Sequence, residues 1–140
     1  MKYYWMILLF HVLLVATEFT PRTAQNMLKY DDECGAEYKI PPERIEELKA
    51  NLFKEDRESY CHINCVAKKM EIFDDENGIL VENLIKQLLT NNEKSETDMR
   101  QIIENCIKLA EGKKEDLCLW AFRGLFCLGE HGLKVSPARK

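Results

Sequence analysis

Six cysteines, Cys34, Cys61, Cys65, Cys106, Cys118 and Cys127, constrain this 140-residue chain more than any other feature. Their meaning depends on the redox compartment, because thiols persist in the cytosol and pair in exported proteins. The N-terminal stretch "MKYYWMILLFHVLLVATEF" supplies the compartment. It carries one positive charge at Lys2, then an apolar run from Trp5 to Ala16. The run is short for a bilayer span and suits the h-region of a secretory signal peptide. Val15, Ala16 and Thr17 offer a cleavage point after Ala16 or Thr17. Residues 1–17 are therefore expected to be a signal peptide, and 18–140 a single secreted, extracellular domain. An even set of cysteines in a short exported chain implies three disulfides, although six cysteines permit fifteen full pairings.

Hydrophobic periodicity predicts an all-α fold. Residues 18–33 show no period and read as a mobile lead-in to Cys34. "IPPERIEELKANLF" reads as a helix, with Pro42 in its first turn, Glu43 near its N-terminal dipole and Ile45, Leu48 and Leu52 at helical spacing. "SYCHINCVAKKM" is a second helix with Ser59 as its cap. "ILVENLIKQLL" is a third, carrying Leu80 or Val81, Leu84, Ile85 and Leu88 on one side. "SETDMRQIIENCIKLA" opens on Ser95 and Asp98, an arrangement that resembles a capping box. "KKEDLCLWAFRGLFCLG" is apolar nearly all round, as a helix packed on several sides would be. No run alternates with period two. The expectation is a compact bundle of five to six helices.

Helical geometry restricts the cysteine pairings without choosing one. Cys61 and Cys65 lie about 40° apart on a helix that turns about 100° per residue, so they share a face and point in parallel. Each must reach a different partner. Cys118 and Cys127 fall on opposite faces of the last helix, which is then tied on two sides.

The spacing Cys34-x26-Cys61-x3-Cys65-x40-Cys106-x11-Cys118-x8-Cys127 resembles the six-cysteine signature of the insect odorant-binding proteins, the pheromone and general odorant-binding family. The resemblance covers the whole chain after residue 17. It implies the pairs Cys34–Cys65, Cys61–Cys118 and Cys106–Cys127. It also implies helices that converge on an apolar cavity holding a small hydrophobic ligand, an odorant or pheromone, carried through aqueous fluid to a chemosensory receptor. Side chains suited to line such a cavity are Leu52, Phe53, Met70, Ile72, Phe73, Leu80, Leu84, Leu88, Ile103, Ile107, Trp120, Phe122, Leu125 and Phe126. Each aliphatic among them would serve equally well in an ordinary core. Trp120 adds an indole N–H that can orient a polar ligand group. Leu133 and Val135, in the tail "LGEHGLKVSPARK", are expected to close over the cavity mouth, with His131 as a pH-sensitive element. A frayed tail is the alternative.

Other chemistries fare worse. The net charge is −4, and loss of Lys2 takes it to −5, which suits neither nucleic acid nor an anionic membrane. No stable membrane insertion is expected, and the protein is expected to be a monomer or homodimer. In "FDDENGILVENL", Gly78 as the central glycine of a calcium loop would put Phe73 and Leu84 at ligand positions, which rules that reading out. Asp74, Asp75 and Glu76 read instead as a solvated turn. A zinc site at Cys61 and Cys65 would need free thiols in an oxidising compartment. His62 between them is read as incidental. No triad of catalytic groups is assembled, so neither enzyme activity, metal nor cofactor is expected. The competing class is a secreted helical effector, or a non-olfactory carrier of seminal, salivary or glandular origin, acting partly through its surface. A saposin-like membrane protein would have different cysteine spacing.

Overall fold

The computed structural model describes residues 18–137, so the signal-peptide expectation for 1–17 lies outside the described residues. Six α-helices occupy Ala24–Glu37 (α1), Pro42–Lys49 (α2), Arg57–Lys69 (α3), Val81–Leu89 (α4), Glu96–Ala110 (α5) and Leu117–Glu130 (α6). A single 3-10 turn, Glu111–Lys113, follows α5.

Short polar side chains start most of these helices. Asp56, Ser95 and Asp116 accept from the backbone N–H of Ser59, Asp98 and Leu119, at 2.9, 3.1 and 3.2 Å. The cap of α3 is thus Asp56, not Ser59. Ser59 is fully buried, and its hydroxyl accepts from Arg44 Nη2 at 2.6 Å and from the Lys54 N–H at 3.0 Å. Helix α1 corrects the reading of 18–33 as an irregular lead-in. Thr23 accepts from the Asn26 N–H at 3.2 Å while Asn26 Oδ1 accepts from the Thr23 N–H at 2.9 Å, a reciprocal box that starts the helix. Its buried stripe is Met27, Asp31, Cys34 and Gly35, too polar to show as a hydrophobic period.

Four helices end in the same way. Lys39, Asn51, Glu71 and Gly132 adopt positive φ of 52°, 61°, 61° and 77° just past α1, α2, α3 and α6. The next residue then donates back across the final turn: Ile40 to Gly35, Leu52 to Glu47, Ile72 to Ala67 and Leu133 to Leu128. These are Schellman ends, which satisfy the last carbonyls and send an apolar side chain back toward the helix. Ile40, Ile72 and Leu133 are buried this way, while Leu52 remains 59% exposed.

The chain also forms a small antiparallel ladder that sequence alternation did not predict. Phe73–Asp74 (β1) pairs with Gly78–Ile79 (β2), a run too short to display a period. Asp74 closes the turn by accepting from the Glu76 and Asn77 N–H groups at 3.0 and 2.5 Å. Gly78 has φ +73°, and a Cβ there would run into the Trp120 ring at 2.5 Å.

Disulfides Cys34–Cys65, Cys61–Cys118 and Cys106–Cys127 join α1 to α3, α3 to α6 and α5 to α6. Helix α6 packs against α3 and α5, in keeping with its apolar circumference. The core beneath it holds Phe73, Leu84, Ile85, Leu88, Met99, Ile103 and Leu128, all essentially solvent-free.

Two predictions follow from the turns and caps. Gly78→Ala should cost about 2 kcal/mol or more, because it combines left-handed strain with a clash against Trp120; urea unfolding followed by tryptophan fluorescence measures this. The second concerns acid. The Arg57 hydrogen bond, with the Leu119 N–H, holds the Asp116 carboxyl below the usual aspartate value of 3.8. Burial would raise Asp56, but Ser59 and Arg44 outweigh it and bring that carboxyl below 3.8 as well. Depressed carboxylates stabilise the fold above the unfolded value and lose that contribution as pH falls through the folded one. Unfolding free energy should therefore fall as pH drops below 3.8, and Asp116→Asn should flatten the slope in acid denaturation curves.

Candidate functional site

A cavity of about 740 Å³ opens between α1, α3, α6 and the segment that follows α6. Helix α3 builds one wall: His62, Ile63, Val66, Ala67 and Met70 recur at three- and four-residue steps and so share a face. Cys61 and Cys65 leave that face for the flanking helices α6 and α1. Helix α1 adds Met27 and Asp31, and α6 adds Leu125, Phe126, Gly129 and Glu130. Asn51 and Phe53 come from the α2–α3 connection, and Ile72 from just past α3. Residues 132–137 complete the wall.

The aromatic side is braced from behind. Phe126 stacks on Phe122 at 5.0 Å, and Phe122 meets Tyr60 at 4.6 Å. Arg123 donates to both oxygens of Glu55 at 2.7 Å. That hydrogen bonding, with a further one from Tyr60, holds the Glu55 carboxyl below its usual range. The brace fixes the α2–α3 connection against α6.

Two buried or half-buried amides fasten the tail. Gln87 on α4 is fully buried; its Oε1 accepts from the Arg22 N–H at 2.6 Å and its Nε2 donates to the carbonyls of Arg22 and Val135, both at 3.2 Å. Asn92 donates to the Lys134 carbonyl at 2.9 Å and accepts from the Lys134 N–H at 2.8 Å. Leu133 is 4% exposed. His131 is exposed beyond the wall, its Nδ1 lying 2.9 Å from the Cys127 carbonyl oxygen.

Of the side chains picked from the sequence, Phe53, Met70, Ile72, Leu125, Phe126, Leu133 and Val135 line this cavity. The others stand elsewhere. Leu52 follows the left-handed Asn51 and points to solvent. Leu84, Leu88 and Ile103 belong to the solid core. Leu80 precedes α4 and is half-buried. Phe73, Ile107 and Trp120 surround a separate space of about 60 Å³ beside the β1–β2 turn. Trp120 packs edge-on against Phe73 at 5.1 Å there, so its indole does not reach the large cavity. Phe122 supports the wall without lining it.

Sequence reasoning missed Met27, Asp31, Asn51, His62, Ile63, Val66 and Ala67. The α3 residues were legible as the stripe between the two cysteines and Met70. His62, read as incidental, is 2% exposed and lies 2.9 Å from Asp31. Cys106, Cys127 and His131 lie within 4.8 Å of one another, but both sulfurs are committed to a disulfide and offer no thiolate.

Six helices fastened by three disulfides around an open apolar cavity define a disulfide-stapled, all-α cavity protein. More particularly, the chain belongs to the PBP/GOBP family, whose profile matches residues 16–131. It is 34% identical over 127 residues to odorant-binding protein 22 of Aedes aegypti, covering 91% of this chain and 89% of that protein. It is 29% identical over 120 residues to general odorant-binding protein 99a of Drosophila melanogaster, covering 86% and 84%. General odorant-binding protein 99b of the same species is 24% identical over 127 residues, covering 84% and 85%. No helix among the described residues is long and apolar enough to cross a membrane.

Asn92 holds the tail through two backbone bonds, so Asn92→Ala should release it locally. The Lys134 amide is expected to exchange with deuterium about tenfold faster in that variant, while amides of α5 keep their protection.

Proposed function

We propose that this chain is an exported carrier. It buries a small apolar molecule, an odorant or pheromone, and conveys it through aqueous fluid toward a chemosensory receptor. Residues 1–17 serve as the export signal and 18–140 as the carrier domain. The observation that supports this most is the cavity of about 740 Å³, within the range of roughly 300–1,000 Å³ usual for small-molecule sites. Its buried wall is mainly Met27, Val66, Ala67, Met70, Ile72 and Leu133, which attract a ligand by removing its apolar surface from water. The relatives named odorant-binding proteins agree with the reading. Nothing is cleaved or transferred in such a role; the bound state differs from the free state only in where the ligand's surface lies.

In this reading residues 132–137 act as a lid, because they form one wall and are fastened by the side-chain amides of Gln87 and Asn92 as well as by the buried Leu133. Titration with the fluorescent probe N-phenyl-1-naphthylamine tests both statements. The probe should bind with low-micromolar affinity and brighten. Ala67→Phe, which places a ring in the cavity, should weaken it about tenfold. Deletion of residues 131–140 should also weaken binding, and unchanged affinity at both neutral and acid pH would remove the lid. A helical effector acting through its surface alone would take up no probe.

A further inference from the structure

Among the buried residues of the cavity wall, only Asp31 and His62 carry polar side chains; Met27, Val66, Ala67 and Met70 are their apolar neighbours. Their side chains are 2% and 3% exposed, with His62 Nε2 at 2.9 Å from Asp31 Oδ1. A carboxylate oxygen only accepts, so with Asp31 in that form Nε2 carries the hydrogen of this bond. The contact fixes the ring between α1 and α3. It leaves Nδ1, which is buried and has no hydrogen-bond partner among the described residues. A buried nitrogen of this kind is unfavourable without a partner, and His62 is one of the residues that line the cavity.

We infer that His62 Nδ1, oriented by Asp31, is the polar anchor of the cavity, and that it receives the hydroxyl group of an otherwise apolar ligand. This rests on the carrier reading and narrows its ligand class to alcohol-bearing chains or rings. A hydroxyl is both donor and acceptor, so it donates to the lone pair of a neutral imidazole or accepts from the N–H of a charged one. An ether or ester can only accept, and satisfies one of those forms. A carboxylate ligand would place a second anion beside Asp31 in a region of low dielectric, which is unfavourable. The other charged side chains on the wall, Glu130 and Lys134, are exposed. The ligand's hydrocarbon part would lie along Met27, Val66 and Met70.

The test displaces N-phenyl-1-naphthylamine with decan-1-ol, its methyl ether and decanoate, using the exported chain and His62→Phe. In the wild-type protein the alcohol should bind about tenfold tighter than the ether, and tighter than decanoate. In His62→Phe, which keeps a ring of similar volume, the alcohol and ether should agree within about twofold. An equal alcohol preference in both proteins, no preference in the wild type, or tighter binding of decanoate overturns the anchor. A solvent molecule alone at Nδ1 predicts the second of these results. If His62→Phe does not fold, imidazole ¹⁵N shifts of the wild type decide: decan-1-ol should move the His62 Nδ1 resonance further than the ether does, and no movement with the alcohol overturns the anchor. Failure of the wild type to take up the probe at all defeats the carrier reading itself, whereas uptake without a His62-dependent preference defeats only the anchor.

Discussion

The two disulfides that leave α3 in different directions are the constraint on which the rest depends. Cys65 ties α3 to α1 and Cys61 ties it to α6. A helix held on both flanks cannot rotate to bury its remaining apolar stripe against either neighbour. His62, Ile63, Val66, Ala67 and Met70 are therefore left lining open space. An uncollapsed cavity costs the surrounding side chains contacts that a filled core would make. Cross-links of about 2–4 kcal/mol each in the chain-entropy account offset that deficit. The third bond, Cys106–Cys127, fixes the other flank of α6, so the cavity lies between elements that cannot close on it.

Within that frame the helix ends do the shaping. At Lys39, Asn51, Glu71 and Gly132 the chain turns left-handed and sends the following residue back. Ile72 and Leu133 reach the cavity wall this way, and Asn51 itself reaches it from the turn after α2. Three of these turns lack glycine, so the residue that most readily adopts positive φ does not mark them in the sequence. That explains why the α2 stripe seemed to extend to Leu52: the spacing from Leu48 is helical, but the backbone has already reversed at Asn51. It also explains why α1 was invisible. Its start depends on one Thr23–Asn26 box, and its buried face includes Asp31 and Gly35, so no apolar period announces it.

The fold class was legible because cysteine spacing and apolar periodicity act along the chain, where they can be counted. The division between cavity and core was not, because both use the same side chains. Leu84, Leu88 and Ile103 belong to the same buried apolar cluster as Val66, Ala67 and Met70, yet only the α3 residues line the cavity. What separates Phe73 and Trp120 from Phe126 is the β1–β2 turn, whose Gly78 admits the indole and fills the space a ligand would need. Polar fasteners were equally silent. Gln87 shares its helix with Leu84, Ile85 and Leu88, and only its distant partners Arg22 and Val135 reveal why it is buried.

The Asp31–His62 pair poses the reverse problem, since stability alone gives it little reason to exist. Two ionisable groups removed from water carry a desolvation penalty, and apolar replacements of similar size are often neutral or better. Both residues lie on an apolar wall next to a cross-linked frame that needs no help in positioning α1 against α3, because Cys34–Cys65 already does so. A purely apolar cavity would rank ligands by surface and shape, and a single methylene separates such ligands by only about 1–3 kcal/mol. One buried nitrogen that must be met changes the ranking, because a ligand lacking the matching group leaves it unsatisfied. In the proposed carrier the arrangement would separate the two properties a binding cavity needs: the apolar wall would supply affinity, and the stapled helices would hold one polar atom still enough to discriminate.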